Sequence, residues 1–159
     1  MPSPERKLPR LTGFDYANEG YYFITICTHN KAPLFGSINS INEIGLIAEN
    51  ELLNIPNHFA DVRIDKYVIM PNHIHSIVVI GCHETAERSR PFPTLSTVVG
   101  LYKSGVSKKV RKIFPEMPIW QKSFHDHIIR NDASYAKIWK YIDENPQRWA
   151  EDCYYTCRK

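Results

Sequence analysis

His73-Ile74-His75 is the first stretch of this chain whose residue types and spacing point to chemistry. Side chains alternate along an extended strand, so His73 and His75 share one surface about two residue rises apart, followed there by Ile77 and Val79. Two imidazoles so placed can chelate one divalent cation. The same pattern also fits two polar residues at a strand start that face solvent or pair with a carboxylate. A second pair, His125-Asp126-His127, offers a competing site, and the two pairs can face one another. The first is favoured because it follows the proline-fixed turn Met70-Pro71-Asn72 and opens a stretch that is otherwise nearly all apolar, where a polar pair is costly unless used. His125 and His127 lie among Lys122, Asp126 and Arg130, where solvent or ion pairing accounts for them. His29, His58 and His83 fall in loops or at element ends and read as surface residues.

The second signal is Tyr141 with Asn145 one helical turn later. Around a helical wheel centred on Ile138, the residues Tyr135, Trp139 and Ile142 fall in a stripe about 100° wide, with Tyr141 and Asn145 at its border. Amphipathic packing is one account of Tyr141; nucleophilic attack is the other. A phenol with a pKa near 10 is a poor nucleophile at about neutral pH, but a metal that polarises the electrophile makes covalent attack feasible. Two histidines fill part of a coordination shell, so an oxygen ligand is expected, and the Asn145 amide is one turn from the phenol. Neutral ligands leave the cation's charge available to a phosphate. That favours Mg²⁺ or Mn²⁺ over zinc, against the preference of imidazole for softer metals.

Several elements must hold these residues in place. Gly20 to Thr28 is a continuous β-branched and aromatic run, the pattern of a central strand covered on both faces. After a loop over 30–40, apolar residues from Ile41 to Ile55 recur at helical spacing until Pro56 stops them. Strands over 61–70 and 73–80 form a hairpin, and 82–93 is a polar surface loop. Thr94 or Ser96 caps a helix running to Ile113, the most basic element of the chain. Residues 119–129 read as a fourth strand, and Asn131 or Asp132 caps a helix to about Asn145. The order β-α-β-β-α-β-α predicts an α+β, ferredoxin-like split βαβ sandwich, with a four-stranded antiparallel sheet and an added C-terminal helix.

At 159 residues the chain suits one domain that can bury roughly 68–70% of its unfolded surface, so no disulfide or metal scaffold is required. Cys27, Cys82, Cys153 and Cys157 show no C-x-x-C pairing and read as free thiols in a reducing cytosol. Basic residues at the N-terminus have no apolar run behind them, so a soluble cytoplasmic protein is expected, with neither signal peptide nor membrane span. The expected organisation is a basic N-terminal arm over 1–19, a catalytic domain over 20–150 and a C-terminal tail over 151–159. A net charge of +3 permits nucleic acid without announcing it.

Taken together, Gly20–Thr28, Val68-Ile69-Met70-Pro71-Asn72-His73-Ile74-His75, the Lys103-Ser104 helix, Ile119–Arg130 and Tyr141-Ile142-Asp143-Glu144-Asn145-Pro146 resemble the single-tyrosine HUH transposases, and among them the REP-associated tyrosine transposases. The resemblance covers about residues 8 to 150. It implies that His73, His75 and Asn145 bind a divalent metal, Mg²⁺ or Mn²⁺. It also implies that Tyr141 attacks a phosphate of single-stranded DNA, leaving a 5′-phosphotyrosine bond and a free 3′-hydroxyl. Single-stranded or hairpin DNA is the implied partner, and the relatives include both monomers and homodimers. Arg6, Lys7 and Arg10 of the arm, Lys103, Lys108, Lys109, Arg111 and Lys112 of the basic helix, and Lys122 and Arg130 are the expected DNA contacts. Trp120, Phe124 or Trp149 can stack unpaired bases or serve the core. Tyr154-Tyr155 has no ligand pattern near it. A domesticated nucleic-acid-binding protein that does not cut, and a metal-dependent phosphodiesterase that uses water, are the rival readings.

Overall fold

The structure is a computed structural model that describes residues 19–81 and 92–149. Strand β1 (Gly20–Cys27) forms where the aromatic and β-branched run predicts it, and six of its eight residues are buried. A small hairpin, β2 (Gly36–Ser37) and β3 (Ser40–Ile41), leads to helix α1 (Glu43–Leu53) and a single further turn, α2 (Ile55–His58). The long hairpin β4 (Val62–Met70) and β5 (His73–Ile80) follows. Helix α3 (Leu95–Arg111), strand β6 (His125–Ile129) and helix α4 (Asp132–Glu144) complete the described chain.

The four main strands lie in the order β4-β5-β1-β6, every neighbouring pair antiparallel. This is the ferredoxin-like split βαβ sheet, with β1 and β5 in the middle and α4 added at the end. Alternation divides the side chains of β1 and β5 between two cores. Tyr22, Ile24, Ile26, Ile74, Val78 and Ile80 pack beneath α1 and α3. Phe23, Ile77 and Val79 point the other way, against Ile138 and Ile142 of α4. The hydroxyl of Tyr102 on α3 donates to the carbonyl of Ala48 on α1 at 2.8 Å, which satisfies a buried phenol.

Three boundaries differ from the sequence reading. The fourth strand begins at His125 rather than at residue 119. Trp120 keeps one isolated bridge to Thr28, Ser123 is left-handed at φ 64°, and the carbonyls of Gln121 and Ser123 turn to the Lys103 ammonium instead of a ladder. Asn42 caps α1 through its side chain, so the helix starts two residues after Ile41. It ends at Leu53, and Pro56 sits in the first turn of α2, where a missing N–H costs nothing. Nearly all of the basic arm, the C-terminal tail and most of the 82–93 loop lie outside the described residues, as do His83 and Cys82, Cys153 and Cys157. Cys27 is buried and takes part in no disulfide. Among the described residues, no helix is long and apolar enough to cross a membrane.

Candidate active site

Strand β5 carries both imidazoles of the first pair onto the α4 face, His73 fully buried and His75 almost so. Their Nε2 atoms converge to 3.1 Å. Each ring is held from behind through Nδ1. The Asn72 amide oxygen lies 2.8 Å from His73 Nδ1, and its nitrogen donates to the carbonyl of Lys31, which fixes the amide's orientation. Because that oxygen only accepts, the His73 proton sits on Nδ1 and the Nε2 lone pair faces the gap between the rings. Thr25 Oγ1 lies 2.9 Å from His75 Nδ1 and, as a hydroxyl, can serve either tautomer.

Burial pushes the His73 pKa down to about 3, with Lys31 lowering it further and the Asn145 side chain partly opposing the shift. The His75 pKa is also well below its ordinary value, chiefly through burial and then through His73. Both rings are therefore neutral at physiological pH, the form in which imidazole binds a metal.

Helix α4 crosses this pair. The Tyr141 ring lies 5.2 Å from the His75 ring, centroid to centroid, and edge-on to Phe23 at 6.2 Å. Phe23 stacks on His75 at 5.3 Å, and Trp149 covers His73 at 5.9 Å. Asn145, the residue after the last turn of α4, is more deeply placed than its position on the wheel suggests, being 3% exposed. Its Oδ1 is buried without a hydrogen-bond donor, yet it is near enough to His73 to favour that ring's protonated form. An unsatisfied amide oxygen beside converging imidazole nitrogens is the donor set a cation would complete. Among the described residues no group of three His, Cys, Asp or Glu gathers, so a third protein ligand to a cation held there would have to be of another kind, such as the Asn145 amide.

The second histidine pair occupies the same face but stays separate. His125 and His127 are in register with Thr25 and Phe23 on β1, while His75 pairs with Thr25 from the other side. Strand β1 thus stands between the two pairs, a separation of roughly 10 Å across two strand spacings. His125 is exposed and His127 half-buried. His29 and His58 are exposed, as read.

No protein-family model matches the chain. An uncharacterised protein of Haemophilus influenzae is 38% identical over 168 aligned positions, spanning 95% of this chain and 93% of that one. A second Haemophilus influenzae protein, named "Putative REP-associated tyrosine transposase", is 28% identical over 134 residues, 83% of this chain and 73% of its own. Among solved structures, a REP-associated tyrosine transposase bound to a REP hairpin superposes with a TM-score of 0.60 at 18% identity, covering 88% of this chain and 74% of that one. In sequence and in fold, then, the chain is similar to REP-associated tyrosine transposases. A "putative transposase" from Deinococcus radiodurans shares the fold at a TM-score of 0.52 and 15% identity, covering 85% and 95% of the two chains.

The basic residues expected to touch DNA are not gathered around the imidazoles. Helix α3 packs on the face away from the imidazoles, so Lys108, Lys109, Arg111 and Lys112 are not beside them. Lys109 is paired with the buried Glu51, and half-buried Lys103 donates to the carbonyls of Gln121 and Ser123 at 2.9 Å each. Burial lowers the Lys103 pKa, and its amine is tied to the main chain. Lys122 and Arg130 are exposed on either side of β6. Lys122 joins His29, Asn30, Lys31, Trp120 and Gln121 around an open cleft of about 750 Å³. Phe124 is core, and Trp120 also packs inward on Phe35 and Tyr102, with its indole N–H donating to the Lys103 carbonyl. Arg6, Lys7 and Arg10 lie outside the described residues.

Sequence reading misses Thr25 and Asn72 as supports of the imidazoles. Asn72 is visible as a turn residue, but only the β1–β5 register reveals what Thr25 faces.

Proposed function

We propose that this protein is a transposase that cuts and rejoins single-stranded DNA at hairpin ends through a covalent bond to Tyr141, with a divalent cation, Mg²⁺ or Mn²⁺, held by His73, His75 and Asn145. The observation that carries this reading is the Tyr141 ring lying 5.2 Å from that of His75 within one chain, beside Nε2 atoms only 3.1 Å apart. The solved relative bound to a REP hairpin supports the choice of substrate. On this reading the two imidazoles grip the metal and the phenol attacks, as the resemblance to the HUH group implies.

When bound, the cation supplies positive charge beside a non-bridging phosphate oxygen. Everything else falls to the chain. Tyr141 Oη attacks phosphorus and loses its proton to solvent. The bond from phosphorus to the 3′-oxygen breaks, and that oxygen takes up a proton and departs as the 3′-hydroxyl. One phosphodiester is exchanged for a 5′-phosphotyrosine of similar energy, so a 3′-hydroxyl from another end can reverse the step without a nucleotide cofactor. Phe23 and Trp149 screen the imidazoles from water. The cleft bearing Lys31 and Lys122 includes the residue whose carbonyl anchors the Asn72 amide behind His73, and it suits the unpaired strand flanking the cut.

The test incubates the protein with a labelled hairpin oligonucleotide carrying a single-stranded extension, in Mg²⁺ or Mn²⁺. A protein–DNA adduct that survives denaturation is expected from the native chain and not from Tyr141→Phe, which should still bind the hairpin. Release of cut DNA with no adduct would mean a water-using phosphodiesterase. Salt-sensitive binding without cutting would leave a DNA-holding protein.

A further inference from the structure

The edge strand β4 changes phase halfway along. Val62 and Ile64 point to the α1 and α3 core, and so do Tyr67 and Ile69, although the two sets differ in parity. The register shows why. Ile64 pairs with Val78 and Lys66 with Ile77, leaving Asp65 as an extra residue in a bulge. The bulge throws two consecutive charged side chains, Asp65 and Lys66, toward α4.

Both charges grip that helix. Asp65 Oδ2 accepts from the Tyr135 hydroxyl at 2.5 Å while Oδ1 accepts from Arg63 at 2.6 Å. Lys66 Nζ donates to Asp143 Oδ1 at 2.8 Å and stands 3.9 Å above the centre of the Trp139 ring. Tyr135, Trp139 and Asp143 follow at four-residue intervals and so form one line along α4. On the wheel, the buried Ile138 and Ile142 come next, and Tyr141 lies on the far side of them. Two aliphatic side chains fix the depth at which a helix docks but resist its rolling weakly, because apolar contact is non-directional. Hydrogen bonds and an ion pair on one flank are directional, and they set the roll that decides where Tyr141 on the other flank points.

We propose that Asp65 and Lys66 are positioning residues that fix the roll of α4 and thereby hold Tyr141 over the imidazole pair. The proposal rests on the reading of Tyr141 as nucleophile. Stability alone is a poor account of the Lys66–Asp143 pair. The Asp143 side chain is 53% exposed, and ion pairs so open to water contribute little to folding.

The experiment compares the native chain with Lys66→Gln combined with Tyr135→Phe, and with Lys66→Arg, which keeps the cation. Adduct formation at saturating hairpin DNA, hairpin affinity, thermal midpoint and amide hydrogen exchange along α4 are measured on each. The double variant should form adduct about tenfold more slowly, since a small misplacement of a reacting group is costly, with affinity within about twofold. Its α4 amides should exchange faster, and Lys66→Arg should restore the native rate. An unchanged adduct rate overturns the proposal, as does a slowing that merely follows lost affinity or global unfolding. If the native chain forms no adduct, the reading of Tyr141 fails by itself. Exchange along α4 then decides the docking role alone, and protection unchanged in the double variant overturns it.

Discussion

The Thr25 hydroxyl and Nδ1 of His75 meet at 2.9 Å across the ladder between β1 and β5, where the two residues are direct partners. A ligand histidine whose second nitrogen is held keeps its ring aimed and its lone pair basic. Thr25→Val preserves shape and β-propensity while deleting the hydroxyl. It should weaken Mn²⁺ binding by about 10- to 100-fold, read by calorimetry or by the electron paramagnetic resonance of free Mn²⁺, with the thermal midpoint nearly kept. Native affinity in this variant would remove Thr25 from the metal site.

Because Tyr141 and the imidazoles meet within one chain, the proposed reaction would need no exchange of α4 between subunits. A mixture of Tyr141→Phe with the double variant His73→Ala, His75→Ala should therefore form no adduct beyond background at any protein concentration. Recovery of adduct in the mixture would show that the tyrosine reaches a neighbour's metal site.

The placement of the lysines predicts different salt behaviour. Lys122 is exposed at the cleft, whereas the Lys103 amine is tied to two carbonyls. Lys122→Ala should lower the slope of log affinity against log salt by about 0.7 to 0.9 if it contacts one phosphate. Lys103→Met should leave that slope unchanged and lower the thermal midpoint, because two main-chain carbonyls lose their donor. Equal slope changes in the two variants would refute the distinction.

Acid should unfold the metal-free protein through its imidazoles. The unfolded chain protonates these side chains below about pH 6.5, whereas His73 in the folded chain does so only at about 3. Between those values the unfolded state binds more protons, so stability is complete above the upper limit and falls as pH drops toward the lower one. In chelator, urea midpoints measured from pH 7 to 4.5 should decline more steeply for the native chain than for His73→Gln. Parallel declines would show that the ring does not carry the effect.

Much of this arrangement is legible in residue order. Strict alternation places His73 and His75 with Ile77 and Val79, and all four do share the α4 face. The wheel centred on Ile138 finds the buried seam of α4. Residues 119–124 escape the pattern because Lys103, distant in sequence, draws their carbonyls away from a ladder. Thr25 looks like any strand threonine until its cross-strand partner is known. Asn145 sits deeper than a border position because the chain continues past the helix end to Trp149, whose ring closes over His73.

The double phase of Val62–Met70 also governs how this segment tolerates change in length. Asp65 is the one residue of the strand without a cross-strand partner, so deleting it would leave Ile64 opposite Val78 and Lys66 opposite Ile77 in a regular ladder, with Val62, Ile64, Tyr67 and Ile69 still turned to the core beneath α1 and α3. What would go is the acceptor shared by the Tyr135 hydroxyl and Arg63. Loss of a paired residue such as Arg63, with the bulge kept, would instead turn one flank of the strand over. Shortening by one residue is therefore compatible with the sheet at Asp65 and not beside it.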